Sequence, residues 1–449
     1  MHTTKNKAIP ASAVFFRGMG KLLAVFGLLA LLPAAGSSAL AQQVADQKLP
    51  AEAEALILEA LSFNPALAAS AHQIEAQASR ERQVRSLPDP EVNLGYFINP
   101  AEESQLLGRF SVSAMQMFPW FGTLSAAQRQ QEQLTAAEGQ RHLEAALDLV
   151  LEVQLGWLDL AENGQREQLL HEELALLAQL EDWLAARHET GLARQTERIA
   201  LQMERSRLQT RIQNVEDARL PLQTRLNTLL QRAPERPLNL RAEVPLRELV
   251  AGPEHITLQL LQNRPELREY TQRTQALEHA MEQNRRMGLP EFGLGFEVMG
   301  RDYGTMNMMP AMKESFYGMA TVRVPLWRGK YDGRRDEYRA GMQALEQNRE
   351  AARLRMVARA ETLQSAWREA RRAVSLYDEE LQPAFEQLYR LQLESYAASE
   401  TGFRELLQLR RDWLEARTDR LEARFRAERE LARIERETAS WLELVLSLE

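Results

Sequence analysis

The chain is written twice. Pro65, Pro90, Gly95 and Tyr96 recur 200 residues later as Pro265, Pro290, Gly295 and Phe296. Further on, Glu189-Thr190-Gly191 returns as Glu400-Thr401-Gly402 at a spacing of 211, and Leu170, Leu174, Leu177 and Leu180 map at that same spacing onto Leu381, Phe385, Leu388 and Leu391. Several anchors kept in one order, with most of the slippage around a loop at Met299 to Ser315, mark an internal duplication, because loops absorb insertions most easily. One structural unit must therefore be used two times.

Most of each unit reads as helix. Thr123 to Thr190 and Asp332 to Thr401 contain no proline except Pro383, and their apolar residues fall at spacings of four, three and three. That is the period of an amphipathic coiled-coil face. Each stretch has close to 70 residues, about 100 Å at 1.5 Å per residue, far longer than ordinary globular helices. Two shorter helical stretches accompany each long one: Pro65 to Leu87 and Leu192 to Leu230 in the first copy, Pro265 to Gly288 and Phe403 to Leu446 in the second. Laid end to end, a short pair matches one long helix, which predicts a continuous helix packed beside a broken one in each half. Gly191 and Gly402 are expected to turn the hairpins as C-terminal caps. Pro234, Pro237, Pro245 and Pro253 mark residues 231–257 as a linker between a first repeat, 42–230, and a second, 258–449.

Between the short first helix and the long one, the period changes from helix to strand. Val92, Leu94, Tyr96 and Ile98 alternate with Asn93, Gly95 and Asn99, and Phe110, Val112 and Ala114 with Ser111 and Ser113. Phe292, Leu294, Phe296 and Val298 alternate in the same way with Gly293, Gly295 and Glu297, and a fourth run spans Phe316 to Val324, with Thr321 and Arg323 on its polar side. These are two β-hairpins, 91–118 and 291–324, with strands of about nine residues, the length that crosses a bilayer when tilted. Each ends in proline and aromatics, Phe118-Pro119-Trp120-Phe121-Gly122 and Val324-Pro325-Leu326-Trp327-Arg328-Gly329. Proline stops a ladder, and aromatic rings suit a headgroup layer. The competing expectation is an ordinary sheet capping a helical bundle.

If the hairpins do enter lipid, their outer edges would leave backbone groups unpaired in hydrocarbon, so the sheet must close. Four strands are too few for a barrel, since the smallest membrane barrels have eight. Two chains would supply eight strands and a filled interior; three would supply twelve and a water-filled lumen.

Residues 1–41 are expected to be a secretory signal peptide: Lys5, Lys7, Arg17 and Lys21 without an acid, the apolar run Leu22 to Leu32, then Ser38-Ala39-Leu40-Ala41. Formal charge is −8, and removing those four cations leaves −12, which implies no basic face for nucleic acid. Cysteine is absent, which excludes disulfides, thiolate metal sites, thiol catalysis and a lipid-bearing cysteine. His142, His171 and His188 do not share a helix face as ligand pairs and are expected to be solvated; no catalytic constellation stands out, so no enzyme activity and no cofactor are expected. One composition is unusual: Met299, Met306, Met308, Met309, Met312 and Met319 lie in or beside the second hairpin loop. Thioethers select soft ions such as Cu(I), so Met306, Met308, Met309 and Met312 are candidate metal contacts, with flexible apolar filling as the bland alternative.

In this order, the duplication, the strand openings Pro90-Glu91-Val92-Asn93-Leu94-Gly95-Tyr96 and Pro290-Glu291-Phe292-Gly293-Leu294-Gly295-Phe296, the closing Pro325-Leu326-Trp327-Arg328-Gly329-Lys330 and the Thr-Gly turns resemble the TolC-like outer-membrane efflux proteins over essentially the whole mature chain. The resemblance implies a mainly α fold with membrane β: duplicated helical hairpins and four transmembrane strands per chain, closing in a homotrimer as a 12-stranded β-barrel over an α-helical barrel that crosses the periplasm. It implies the outer-membrane exit duct of a tripartite efflux pump, joined to a periplasmic adaptor (membrane fusion protein) and an inner-membrane transporter, with the methionines pointing to copper or silver as one possible cargo. Adaptor hairpins would dock at Thr190, Gly191 and Leu192 and at Thr401, Gly402 and Phe403. The rival expectations are a periplasmic adaptor, which should show one hairpin and a β-rich remainder, and a coiled-coil scaffold without a pore.

Overall fold

Asn64-Pro65 and Arg264-Pro265 each end one helix and start the next, because a proline ring fits the first helical turn while pushing the residue before it into extended backbone. Both Asn64 and Arg264 are extended, and the Asn64 side chain caps the new helix by accepting from the Ala66 and Leu67 N–H groups. The computed structural model describes residues 44–45, 47–96, 110–189, 193–238, 244–301, 313–398 and 401–448; the expected signal peptide lies outside them.

The first half runs α1 (Ala51–Phe63), α2 (Pro65–Arg85), β1 (Glu91–Tyr96), β2 (Phe110–Phe118), α3 (Thr123–Glu189) and α4 (Gln195–Leu229). The second runs α5 (Pro253–Asn263), α6 (Pro265–Met287), β3 (Glu291–Arg301), β4 (Lys313–Arg323), α7 (Gly329–Ser375), a π-helical turn (Leu376–Leu381), α8 (Gln382–Ala397), α9 (Phe403–Glu437) and α10 (Leu442–Leu448). The helices α1 and α5 extend the duplication upstream of the proline anchors; α5 begins within the segment expected to be linker.

The broken-beside-continuous arrangement is present in both halves. In the first, α2 and α4 both pack on α3 and meet end to end, where Asn64 Nδ2 donates to the Leu229 carbonyl at 3.1 Å. In the second, α6 and α9 pack on α7 and meet where Arg264 donates to Glu437 at 3.1 Å. The same α6 and α9 also line α3, joining the two halves. Three apolar clusters hold the bundle: one around Trp157, Val153, Leu226 and Phe425, one toward the helix tips around Leu177, Leu184, Leu201 and Leu406, and one around Met356, Trp367, Leu431 and Ile434.

The linker is anchored by an ion pair inside the bundle. Arg247 is fully buried; its side chain donates to Glu428 at 2.8 Å and Glu435 at 2.6 Å, and its backbone N–H donates to Glu428 at 2.6 Å. Burial raises the Glu428 carboxyl above its ordinary value against the opposing pull of Arg247. For Arg247, desolvation is the largest influence and acts downward, but the two carboxylates together outweigh it and the guanidinium is held higher than usual.

Several expectations need correction. The second long helix is not α-helical throughout, because it passes through a π-helical turn at 376–381 just before Pro383 and then runs on as α8. A proline ring clashes with the carbonyl four residues back and offers no N–H, and a widened turn accommodates both defects. The last helix ends at Glu437, where Ala439 takes a positive φ of 54°, rather than running to Leu446. Gly402 is not a left-handed C-cap: its φ is −83°, and it is the N-cap of α9, while Ala398 closes α8. Finally, Leu388 and Leu391, which repeat the buried Leu177 and Leu180, are exposed on α8. The residues of α8 that pack inward are instead Tyr389, Leu393 and Tyr396.

Candidate membrane-facing sheet and helical tips

The four strands form one antiparallel sheet in the order β1-β2-β3-β4, so the two hairpins pair through β2 and β3. Because side chains alternate along a strand, the register divides the sheet into two faces of opposite character. On one face Leu94, Val112 and Val298 lie in a row, as do Val92, Ala114, Phe296 and Gly318, and then Phe118, Phe292 and Val322. On the other lie Asn93, Ser113, Glu297 and Tyr317, then Glu91, Met115, Gly295 and Met319, then Met117, Gly293 and Thr321.

Exposure runs opposite to that of a soluble sheet. The apolar face is the open one, with Leu94 79% exposed, Phe316 73% and Leu294 61%, while Met117 on the polar face is buried. Large contiguous apolar surface on a lone protomer requires something to cover it. At the helical end of the sheet, Phe121, Leu326 and Trp327 are also exposed, and Trp120 stacks on Phe292 at 5.8 Å, which gives the open face an aromatic border. The outer edges of β1 and β4 pair with no strand among the described residues.

The far ends of the helical hairpins form a second constellation. Trp183 and Arg187 of α3, Tyr396 of α8, Phe403 of α9 and Glu197 of α4 converge there. Tyr396 stacks between Trp183 and Phe403, each at 5.5 Å, and the Arg187 guanidinium lies 5.1 Å from the Trp183 ring and 5.4 Å from that of Tyr396. The Tyr396 hydroxyl donates to Glu197 at 3.1 Å; burial first, and then this carboxylate, push the phenol up to about 12.

Of the six expected docking residues, Thr190, Gly191 and Leu192 lie outside the described residues. Gly402 is exposed and Thr401 half-buried, but Phe403 is buried within the tip cluster. Sequence reasoning missed the acid that shapes each tip. Glu197 and Glu405 both occupy the third position of their helices, 208 residues apart. Glu197 accepts from the Arg194 N–H at 2.9 Å, and a Cβ on Gly402 would sit 2.5 Å from a Glu405 carboxylate oxygen. The spacing of a capping acid three residues after the N-cap was the available signal.

The histidines depart from the solvated expectation in part. His171 is half exposed, but His142 is buried with its Nδ1 2.6 Å from the Ser70 hydroxyl, and His188 Nδ1 donates to the Ala193 carbonyl at 2.8 Å. Glu167, His171 and Glu216 could together hold an ion, although Arg219 stands 3.5 Å from Glu167 and already meets its charge. The candidate metal contacts Met306, Met308, Met309 and Met312 lie outside the described residues. No described helix is long and apolar enough to cross a membrane.

No protein-family model matches the chain, and no curated protein sequence does. Solved structures do match. The outer-membrane channel OprN superposes with a TM-score of 0.73 at 15% identity, over 88% of this chain and 91% of that one. The open state of the Neisseria gonorrhoeae MtrE outer-membrane channel gives 0.68 at 17% identity, over 86% and 88%. The outer-membrane protein VceC from Vibrio cholerae gives 0.67 at 16% identity, over 86% and 96%. Over 86–88% of its length the chain therefore has the fold of these outer-membrane channels.

Proposed function

We propose that this protein is the outer-membrane exit duct of a tripartite efflux pump. The observation that carries the reading is the inverted sheet: an open apolar face with an aromatic border on one side, and Ser, Asn, Thr, Glu and Met on the other. Lipid covers the first face and water the second. The unpaired edges of β1 and β4 then require partners, since hydrocarbon does not tolerate open ladders. Three chains joined edge to edge give twelve strands around a water-filled lumen, and the exposed Leu388 and Leu391 of α8 supply apolar contacts between neighbouring chains below it. A periplasmic adaptor and an inner-membrane transporter complete the assembly, with adaptor hairpins docking at the helical tips. Energy comes from the transporter; the duct contributes a hydrated path and a closable periplasmic end. Copper or silver ions are the candidate cargo.

The likeness to channels over 88% of the chain favours this reading over a periplasmic adaptor, because two hairpins and two strand pairs leave no β-rich remainder among the described residues. It also favours it over a poreless scaffold, for which an exposed apolar sheet would be a liability. The test is membrane fractionation followed by planar-bilayer recording. A duct resists carbonate extraction, runs as a heat-labile trimer in detergent and conducts ions. Recovery as a soluble periplasmic monomer would reject the proposal.

A further inference from the structure

Methionine is distributed over the sheet in a way that packing does not explain. The strands contain four methionines, Met115, Met117, Met299 and Met319, and the register puts all four on the polar face. The apolar face is built mainly from Val, Leu, Phe, Tyr and Ala, with Gln116, Gly300 and Gly318 among them, and carries no methionine on the described strands. A flexible apolar filler has no reason to avoid the face that needs apolar groups most. On the polar face, among the described residues, Tyr317 is the only other large side chain with an apolar body; the rest are Ser, Asn, Thr, Gly and charged residues.

Three of these methionines stand on the strands that border two glycines of β3. Met115 and Met319 flank Gly295 in one row across the sheet, and Met117 faces Gly293 in the next row of that face. Neighbouring strands are about 4.8 Å apart, so long side chains on β2 and β4 can meet over a β3 that carries no side chain there. Two of them already lean that way: a Cβ on Gly293 would stand 2.6 Å from Met117 Sδ and 3.6 Å from Met115 Sδ. Gly293 thus keeps open the space into which these two thioethers project. Glu297, two residues further along the same face, adds negative charge nearby.

We propose that Met115, Met117 and Met319 form a thioether site for a soft monovalent cation, Cu(I) or Ag(I), where the helical passage enters the barrel. Thioether sulfur selects such ions over hard divalent cations. The proposal deepens the duct reading and rests on it, because the polar face is accessible to a passing ion only if that face lines a pore. A site of uncharged ligands suits transit, since conduction requires binding strong enough to admit an ion and weak enough to release it.

The test titrates the full-length protein in detergent with Ag(I) by calorimetry, beside Mg(II) as the hard-ion control. Two variants separate the sheet from the loop: Met115→Leu/Met117→Leu/Met319→Leu, and Met306→Leu/Met308→Leu/Met309→Leu/Met312→Leu. Silver binding that survives the loop variant and disappears in the sheet variant is the expected result, with no Mg(II) heat at this site. Gly293→Ser, which must displace the end of Met117, is expected to weaken silver binding by about tenfold to a hundredfold, the scale of loss when a ligand's support is disturbed. Silver heat unchanged in the sheet variant, or lost entirely in the loop variant, would overturn the proposal. Bilayer recording on the same preparations separates it from its premise: pores without sheet-dependent silver binding sink the metal site alone, whereas absence of pores sinks the duct.

Discussion

Placing arginine at Phe296 asks which side of the sheet meets lipid. Phe296 is the central residue of the 11-residue β3, sits between Ala114 and Gly318, and is 58% exposed on the apolar face. Midway along a membrane strand, an arginine on the lipid face costs about 2–4 kcal/mol. That is about 30-fold to 700-fold in the folding equilibrium of each chain, and three chains in one barrel would carry about 6–12 kcal/mol between them. Glu297, the next residue, points to the opposite face, where Glu297→Arg should change ion selectivity with little loss of stability. The assay is refolding into lipid vesicles across a urea series, with the folded form read by its altered mobility on an unheated gel. Phe296→Arg should shift the midpoint strongly and Glu297→Arg should not. Equal shifts, or a larger one at Glu297, would refute the facial assignment and with it the membrane reading.

Two further outcomes concern the helical body. Arg247→Met leaves Glu428 and Glu435 buried without their cation, which should cost about 3–5 kcal/mol in urea unfolding. Adding Glu428→Gln and Glu435→Gln should recover much of it, and the loss should shrink as pH falls, because burial already favours protonated Glu428. At the tips, the difference between the ultraviolet titrations of the parent and Tyr396→Phe should show one tyrosine ionising near 12 rather than its ordinary value of 10.0. Glu197→Gln should move that titration downward. Because the folded state holds this proton more tightly than the unfolded chain, the associated stability is complete below about pH 10 and is lost as pH rises through about 12.

How far the sequence could be read depended on whether a feature was local. Alternation from Val92 to Tyr96 and from Phe292 to Val298 depends only on the pleat, so it assigned both strands and faces correctly. The meeting of α2 with α4 and of α6 with α9 was legible too, because the lengths had to add up. The misreadings involve competition between neighbours. A Thr-Gly pair fits either a helix end or a helix start, and it is the extended backbone of Gly402, with the Glu405 carboxylate beside it, that makes this one a start. Phe403 sits beside an exposed glycine yet turns inward onto Tyr396. Arg247, in a proline-rich stretch that reads as linker, is drawn inside by two glutamates that follow it by 181 and 188 residues.

Leu388 and Leu391 show why the helical repeat could be seen and still mislead. Their counterparts Leu177 and Leu180 are buried because α3 lies between the broken helices of both halves. The second copy has no third half to cover it, so the equivalent stripe of α8 faces outward, as do the apolar face and edges of the sheet. In a monomer these would be separate defects. In the proposed ring they would have a common remedy, because each chain's neighbour would supply both the missing strand partner and the missing helix partner. Duplication supplies two of the repeated layers within one chain, and closure of the proposed ring would supply the rest. The strand edges and the α8 stripe should therefore be protected from hydrogen exchange and surface labelling together on assembly; protection of one without the other would separate the barrel from the helical passage.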